Sequence, residues 1–141
     1  AGTFTPGLLP SMLGIAAALA AGTKAGRIIL GINEDHQIPP LPAMSTFYPD
    51  YRREFVQAFN LMLRYALPSE TDLIVELPLI DLSRAEIVRL GQRCNLPFEH
   101  TWSCYSNPAQ PCRRCLGCTV RAAGFLKAGI PDPLMLEPAT A

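Results

Sequence analysis

The stretch Arg27-Ile28-Ile29-Leu30-Gly31-Ile32-Asn33 decides the fold class of this chain. It is a short apolar run, which is typical of a strand that is buried on both faces of a parallel sheet. A second strand is predicted at Leu73-Ile74-Val75-Glu76-Leu77, ending before Pro78. Helical patterns separate and flank these strands, and such alternation predicts an α/β fold with a parallel sheet.

The helices are predicted from periodicity and from their end signals. An Ala- and Leu-rich helix over 11–21, with Gly22 as its C-cap, precedes the first strand. An amphipathic helix over 51–66 follows, with Asp50 as its N-cap. Its apolar face is predicted to hold Phe55, Ala58, Phe59, Met62 and Leu63.

Two further helices are predicted in the second half of the chain. Ser83-Arg84-Ala85-Glu86 forms a capping box that opens a helix through about Gln92. The last helix covers 116–128 and is closed by Gly129. Since two strands make a poor sheet, either this sequence holds further strands that the pattern does not reveal, or the rest of the sheet lies outside it.

Composition is that of a single domain with a real core: 141 residues, of which 49% are hydrophobic and 17% charged. Twelve basic and twelve acidic side chains cancel, which argues against a nucleic-acid partner. The apolar run 8–21 has no Lys or Arg before it and is too short to span a bilayer. We predict that it is a buried helix in a cytoplasmic protein without a membrane partner.

The chain is predicted to be organised as one domain in three parts. An α/β portion covers 1–98, a zinc-binding segment with the final helix covers 99–129, and a tail covers 130–141, fraying from Asp132. A long Pro-rich loop, with an insertion at 36–47, joins the first strand to the second helix.

Four of the five cysteines cluster late in the chain, at Cys104, Cys112, Cys115 and Cys118. Two-residue gaps let neighbouring thiolates turn onto one ion, and four thiolates complete the tetrahedron that zinc accepts. Such a closed set leaves no open position, so the predicted zinc is structural. An iron–sulfur cluster held by four cysteines is the main alternative.

Several residues around these cysteines were assigned roles from their position. Arg113, Arg114 and Arg121 are predicted to offset the negative charge of the thiolates, and Gly117 to give the backbone freedom for a tight turn. His100 is assigned no ligand role because four cysteines already fill the coordination sphere. Trp102 is predicted to pack in the core beside the cysteines, and Cys94 to be a small buried apolar residue.

Three segments carry a resemblance to a known family: Leu79 to Ile87, Thr101-Trp102-Ser103-Cys104-Tyr105, and Pro111-Cys112-Arg113-Arg114-Cys115-Leu116-Gly117-Cys118. Together they resemble the C-terminal portion of the 7-cyano-7-deazaguanine synthases. Tyr48 to Phe59, Gly31-Ile32-Asn33 and Pro6-Gly7 fit the same family, so the resemblance runs from about Pro6 to Ala128.

The resemblance implies an adenine nucleotide α-hydrolase-like (Rossmann-like) fold with structural zinc. It also implies a C–N ligase of queuosine biosynthesis, which uses ATP and ammonia to convert 7-carboxy-7-deazaguanine to 7-cyano-7-deazaguanine. Asp35 follows the first strand at the ligand-binding edge of a parallel sheet, and Asp50 and Arg52 match a family stretch beside the substrate pocket. These three are assigned here as substrate-binding residues. A homo-oligomer is expected.

The sequence departs from the family pattern in ways that bear on activity. No Ser-Gly-Gly-x-Asp-Ser loop, the phosphate-binding element of the family, occurs in it. Leu8-Leu9 follow Pro6-Gly7 where the family has Arg-Asn, and Tyr51 stands where it usually has Cys. Three interpretations remain open: a fragment of a complete enzyme, a subunit whose companion chain carries the loop, or a catalytically inactive relative that is a zinc-stabilised binding module.

Overall fold

The computed structural model describes residues 5–34, 49–107 and 109–135, so that Asp35 and the predicted insertion at 36–47 lie outside the described residues. The elements follow the predicted order: α1 (Leu8–Gly22), β1 (Arg27–Ile29), α2 (Arg53–Ala66), β2 (Ile74–Glu76), α3 (Arg84–Arg93), a 3-10 turn (Phe98–His100) and α4 (Leu116–Ala128). They fall in two compact units, Ala1–Asp81 and Leu82–Ala141. The predicted three-part division of the domain stays a prediction.

The sheet of the first unit consists of β1 and β2, and its strands are parallel as predicted. Ile28 lies opposite Val75 in the register. Burial on both faces, predicted for the first strand, is wrong for β1, because the Ile29 side chain is 60% exposed. Val75, in contrast, is 4% exposed and belongs to the core.

The outer edge of β2 is closed by a side chain of α2. The Asn60 amide nitrogen donates to the Val75 carbonyl oxygen at 2.9 Å, and the Val75 N–H donates to the Asn60 Oδ1 at 2.8 Å. Alternate residues of a strand pair to opposite sides, so Val75 directs its backbone groups away from β1. Asn60 thus supplies both hydrogen bonds that another strand would otherwise make at this position.

The core of the first unit is formed by one face of each helix against the sheet. The α1 helix contributes Leu13, Ala17 and Ala20, while four of its large apolar side chains are more than half exposed: Leu8, Met12, Ile15 and Leu19. The prediction that this helix is buried is therefore wrong for half of its surface. In α2 the buried residues are Val56, Phe59 and Leu63; Met62, predicted on this face, is 43% exposed.

The start of α2 is stabilised by an acid from a distant part of the chain. Asp50 was predicted as the N-cap, but the N-cap is Arg52, whose side chain makes no capping bond. Instead, the Arg53 N–H donates to Oε1 of Glu34 at 2.7 Å. A carboxylate at a helix N-terminus also interacts favourably with the helix dipole. The local pattern missed this cap because Glu34 lies 19 residues away.

In the second unit, α3 and α4 begin and end close to where their signals predict. Ser83 and Glu86 form the capping box of α3, and α4 ends at Gly129, which has the left-handed φ of 73° that glycine tolerates best. Cys94 follows α3 and is exposed, so the prediction that it is buried is wrong. None of the described helices has the length and apolar character needed to cross a membrane.

Candidate metal centre

The four late cysteines converge on one point. The sulfur atoms of Cys104, Cys112, Cys115 and Cys118 all lie within 4.8 Å of one another. They come from three pieces of chain: the bend after the 3-10 turn, the segment before α4, and the first turn of α4. No disulfide joins any of them. The spacing argument thus predicted correctly which thiols come together.

A tight turn after Cys112 directs backbone N–H groups at its sulfur. Arg113 has a left-handed φ of 59°, which is uncommon for a residue with a side chain. The following backbone turns back, so that the Cys115 N–H donates to the Cys112 sulfur at 3.3 Å. The conformational freedom assigned to Gly117 is therefore required at Arg113 instead.

Gly117 is needed for a different reason, namely close packing. It is buried in the first turn of α4. A Cβ placed on it would overlap the Ser103 carbonyl oxygen and lie 3.0 Å from the Ser103 carbonyl carbon. Because residue 117 has no side chain, the segment that carries Cys104 lies directly against the helix that carries Cys118.

The remaining cysteines are held by backbone donors and by the helix end. The sulfur of Cys104 accepts from the N–H groups of Ser106 and Cys112, each at 3.4 Å. Cys115 is the N-cap of α4, and Cys118, in its first turn, is 1% exposed. The positive end of the helix dipole therefore faces this pair of thiols.

These surroundings separate the pKa values of the thiols in the metal-free protein. Hydrogen bonds from the Arg114 and Cys115 N–H groups lower the pKa of Cys112 from 9.0 to about 6. The Cys112 N–H lowers the pKa of Cys104. Burial, together with the neighbouring Cys115 thiol, raises the pKa of Cys118 to about 12. At neutral pH, the metal-free cluster thus contains one thiol that is ionised, Cys112, and one that stays protonated, Cys118.

The donor set fits a four-coordinate metal ion. Metal–sulfur bonds of about 2.3 Å in a tetrahedron place the sulfur atoms about 3.8 Å apart. The Cys112 and Cys118 sulfur atoms are 4.0 Å apart, so a small contraction would complete the geometry. Four sulfurs would leave no position for water or substrate on a bound four-coordinate ion.

Two of the neighbouring side chains, Arg121 and Trp102, differ from their predicted roles. Arg113 and Arg114 are exposed next to the cysteines, but Arg121 is buried and paired with Asp132, so it does not offset the thiolate charge. Trp102, predicted in the core, is 45% exposed, and its indole N–H donates to the Cys104 carbonyl oxygen at 3.1 Å. His100 is exposed and is not one of the clustered residues.

The predicted substrate-binding residues are only partly placed. Asp35 lies outside the described residues. Asp50 is half-buried, and its Oδ1 atom is buried with no hydrogen-bond donor among the described residues. Arg52 is exposed at the start of α2. Their contact with a substrate stays a prediction.

The pKa values give a testable order of thiol reactivity. In the metal-free Cys94→Ser chain at about pH 7.5, we expect iodoacetamide to modify Cys112 at least about tenfold faster than Cys118. The reason is that this pH lies above the pKa of Cys112, about 6, and far below that of Cys118, about 12. Timed mass spectrometry of the cysteine peptides measures both rates.

The pH dependence of the two alkylation rates provides a second test of the order of the pKa values. Lowering the pH from 7.5 to about 6 leaves about half of Cys112 as thiolate, so its alkylation slows only about twofold, whereas the already slow reaction of Cys118 falls about tenfold per pH unit. Equal rates for the two thiols, or a Cys112 rate that does not depend on pH over this range, would contradict the assignment.

The observed features define a class: α/β proteins with a parallel sheet and a four-cysteine cluster that could hold a metal ion. Comparison with known families gives the particular one. Residues 1–129 match the model of the family described as Queuosine biosynthesis protein QueC. The chain therefore belongs to this family, as its resemblance predicted.

Relatives named 7-cyano-7-deazaguanine synthase match most of the chain. One from Methanothrix thermoacetophila is 43% identical over 123 residues, covering 86% of this chain and 51% of the relative. Another from Rhizobium meliloti is 38% identical over 132 residues, covering 93% and 52%. A third from Nitratiruptor sp. is 35% identical and covers 94% and 56%. The chain thus spans about half the length of these relatives.

Proposed function

We propose that this chain is the zinc-bearing portion of a 7-cyano-7-deazaguanine synthase. The whole enzyme would use ATP to join ammonia to 7-carboxy-7-deazaguanine and form the nitrile, a step of queuosine biosynthesis. The observation that carries this proposal is family membership over residues 1–129, with relatives that bear this name. The converged cysteines of the resembling segments support it independently.

Zinc is the metal that we propose for the four-cysteine site. All four donors are sulfur, their spacing fits a tetrahedron, and the site has no open position. When bound, the ion would supply folding energy and no chemistry on the substrate. The thiols must stay reduced to bind it, which supports a cytoplasmic location.

The adenine nucleotide α-hydrolase-like fold is proposed for the complete protein. The two-stranded parallel sheet fits one edge of such a fold but is too small to stand as a sheet of its own. Because no Ser-Gly-Gly-x-Asp-Ser loop occurs in this sequence, the ATP phosphates would be bound by another part of the enzyme or by a companion chain.

Asp50 is the best-supported of the proposed substrate-binding residues. Its buried Oδ1 atom lacks a donor among the described residues, and a buried polar atom without a hydrogen bond costs stability. A bound base with ring N–H groups would supply that donor. Asp35 is proposed as a further substrate contact from its place in the sequence after the first strand and from the family resemblance, and Arg52 from the family resemblance.

The experiment that tests the proposal is an in-frame hybrid. The part of the Rhizobium meliloti synthase outside the matched region is fused to this chain, and nitrile formation from 7-carboxy-7-deazaguanine, ATP and ammonium is followed by mass spectrometry. We expect product and substrate-dependent ATP consumption. The matched control joins the same part to the Rhizobium meliloti enzyme's own matched region.

The alternative is a catalytically inactive relative that acts as a binding module. Leu8-Leu9 in place of the family's Arg-Asn after Pro6-Gly7 favours it, because an expected polar contact is lost. This alternative predicts a hybrid that folds and binds the base without ATP turnover, beside an active control. In that case the variant Leu8→Arg, Leu9→Asn tests whether these two residues cause the loss, because activity should then return.

A further inference from the structure

Arg121, which the sequence placed among the charges near the cysteines, makes five side-chain hydrogen bonds to described residues of the second unit. Arg121 and Asp132 form an ion pair whose side chains are only 6% and 4% exposed. Two parallel bonds join them: Nε to Oδ2 at 2.7 Å and Nη2 to Oδ1 at 2.8 Å. Such a two-pronged pair fixes the orientation of the guanidinium as well as its position.

The other N–H groups of the guanidinium donate to the segment that leads to the first cysteine. Nη1 donates to the Thr101 hydroxyl at 2.7 Å and to its carbonyl oxygen at 3.2 Å, and Nη2 donates to the Phe98 carbonyl oxygen at 3.3 Å. An arginine has five N–H donors, and these contacts use all of them. The Phe125 ring lies 4.9 Å from the guanidinium carbon and covers it.

These contacts join the two pieces of chain that carry the first and the last cysteine. Arg121 lies three residues after Cys118, on the same face of α4. Thr101 lies three residues before Cys104. One buried side chain therefore sets the distance between the segment that carries Cys104 and the helix that carries Cys118, without touching either sulfur.

We propose that Arg121 is a positioning residue for the metal centre: it holds Cys104 where Cys118 can share a metal with it, and Asp132 keeps the guanidinium aimed at Thr101. This inference rests on the proposed metal site. Lysine could not replace it, because an ammonium has three donors and cannot reach carboxylate, hydroxyl and two carbonyls from one plane.

A purely stabilising ion pair would be a different role, and the two can be separated. Replacing a buried ion pair by apolar side chains of similar volume commonly keeps stability. In the double variant Arg121→Met, Asp132→Leu we therefore expect stability to recover while the bonds to Thr101 and Phe98 remain lost. A positioning role predicts that the metal site stays impaired in this stable variant.

The experiment is a titration of the 141-residue chain with Co²⁺, whose absorption reports four-coordinate thiolate geometry, followed by competition with Zn²⁺. We expect the affinity for both metals to fall about tenfold or more in Arg121→Met and in the double variant, with a changed Co²⁺ spectrum. Arg121→Lys is expected to recover only part of the loss. Urea unfolding of each metal-free variant measures stability separately.

The matched control is Arg89→Met. Arg89 is another arginine of the same unit and donates to the Lys127 carbonyl oxygen of α4 at 2.8 Å, but it makes no described bond to the segment before Cys104. Its metal affinity should equal that of the unchanged chain. If the double variant regains both stability and the Co²⁺ spectrum, the positioning role is overturned. If the unchanged chain binds neither metal, the zinc proposal itself fails, which is a distinguishable result.

Discussion

Cys118→Ser is expected to reduce bound zinc from about one ion per chain to nearly none. Cys118 is the most buried of the four thiols, at 1% exposed, and the described cluster holds no His, Asp or Glu beside the four cysteines. Structural zinc sites contribute about 10–16 kcal/mol of apparent binding free energy, and folding of the surrounding segment depends on it. Metal analysis of the purified chain measures the loss.

The structural consequence of the same change should be local to the second unit. Without metal, the sulfur atoms of Cys104 and Cys112 keep weak backbone hydrogen bonds but lose their shared ion, and we expect fast hydrogen exchange from Cys104 to Cys115 and in the first turn of α4. Cys94→Ser is the matched control, because this exposed thiol lies outside the cluster. Full zinc occupancy in Cys118→Ser would show that the metal is held in another way.

Gly117→Ala is expected to be the most damaging single-methyl change in the chain. The added Cβ would overlap the Ser103 carbonyl oxygen and lie 3.2 Å from the Tyr105 ring. The obstacle is backbone rather than the end of a flexible side chain, so relief requires the Cys104 segment to move away from α4. We expect a loss of about 2–4 kcal/mol in the free energy of unfolding of the zinc-loaded chain, and weaker zinc binding.

The matched control for this prediction is Gly14→Ala in α1. The chemical change is the same, but a Cβ at Gly14 meets nothing within 4 Å. Replacing a glycine inside a helix by alanine should raise stability by up to about 1 kcal/mol. Urea unfolding of both variants gives the comparison. A Gly117→Ala chain as stable as the parent would contradict the close packing of Ser103 on the helix.

The features that sequence reasoning predicted well are those fixed by neighbouring residues. The capping box at Ser83 and Glu86, the end of α4 at Gly129 and the convergence of the four cysteines all depend on spacings of a few residues. The parallel pairing of β1 with β2 followed from their apolar runs and the helix between them.

The features that it missed depend on residues that are distant along the chain. Glu34 replaces the expected Asp50 at the start of α2, and Asn60 bonds to the edge of β2 from a helix. Asp132, in a Pro-rich tail predicted to fray, is instead a buried partner of Arg121. A count of charges near the cysteines could not show that Arg121 is neutralised by a residue 11 positions away.

Burial was the other source of error. Ile29, half of α1 and Trp102 are exposed although their apolar character predicts an interior position. Apolar periodicity shows which side chains avoid water in the complete protein, but not whether the covering surface belongs to the same stretch of sequence. The chain spans about half the length of these relatives, so the surfaces that would cover such side chains need not lie within it.

The two hydrogen bonds between Asn60 and Val75 bear on which edge of the small sheet a further strand can pair with. One margin of the sheet is terminated by an amide that imitates a strand, so a further strand has no backbone groups of Val75 to join there. We therefore expect an extension of the sheet by backbone hydrogen bonds to begin beside β1. A segment that is fused to this chain to extend the sheet should therefore be designed to reach β1 rather than β2. For the same reason, we expect a charged side chain added on β1 to reduce edge-to-edge pairing between copies of the chain.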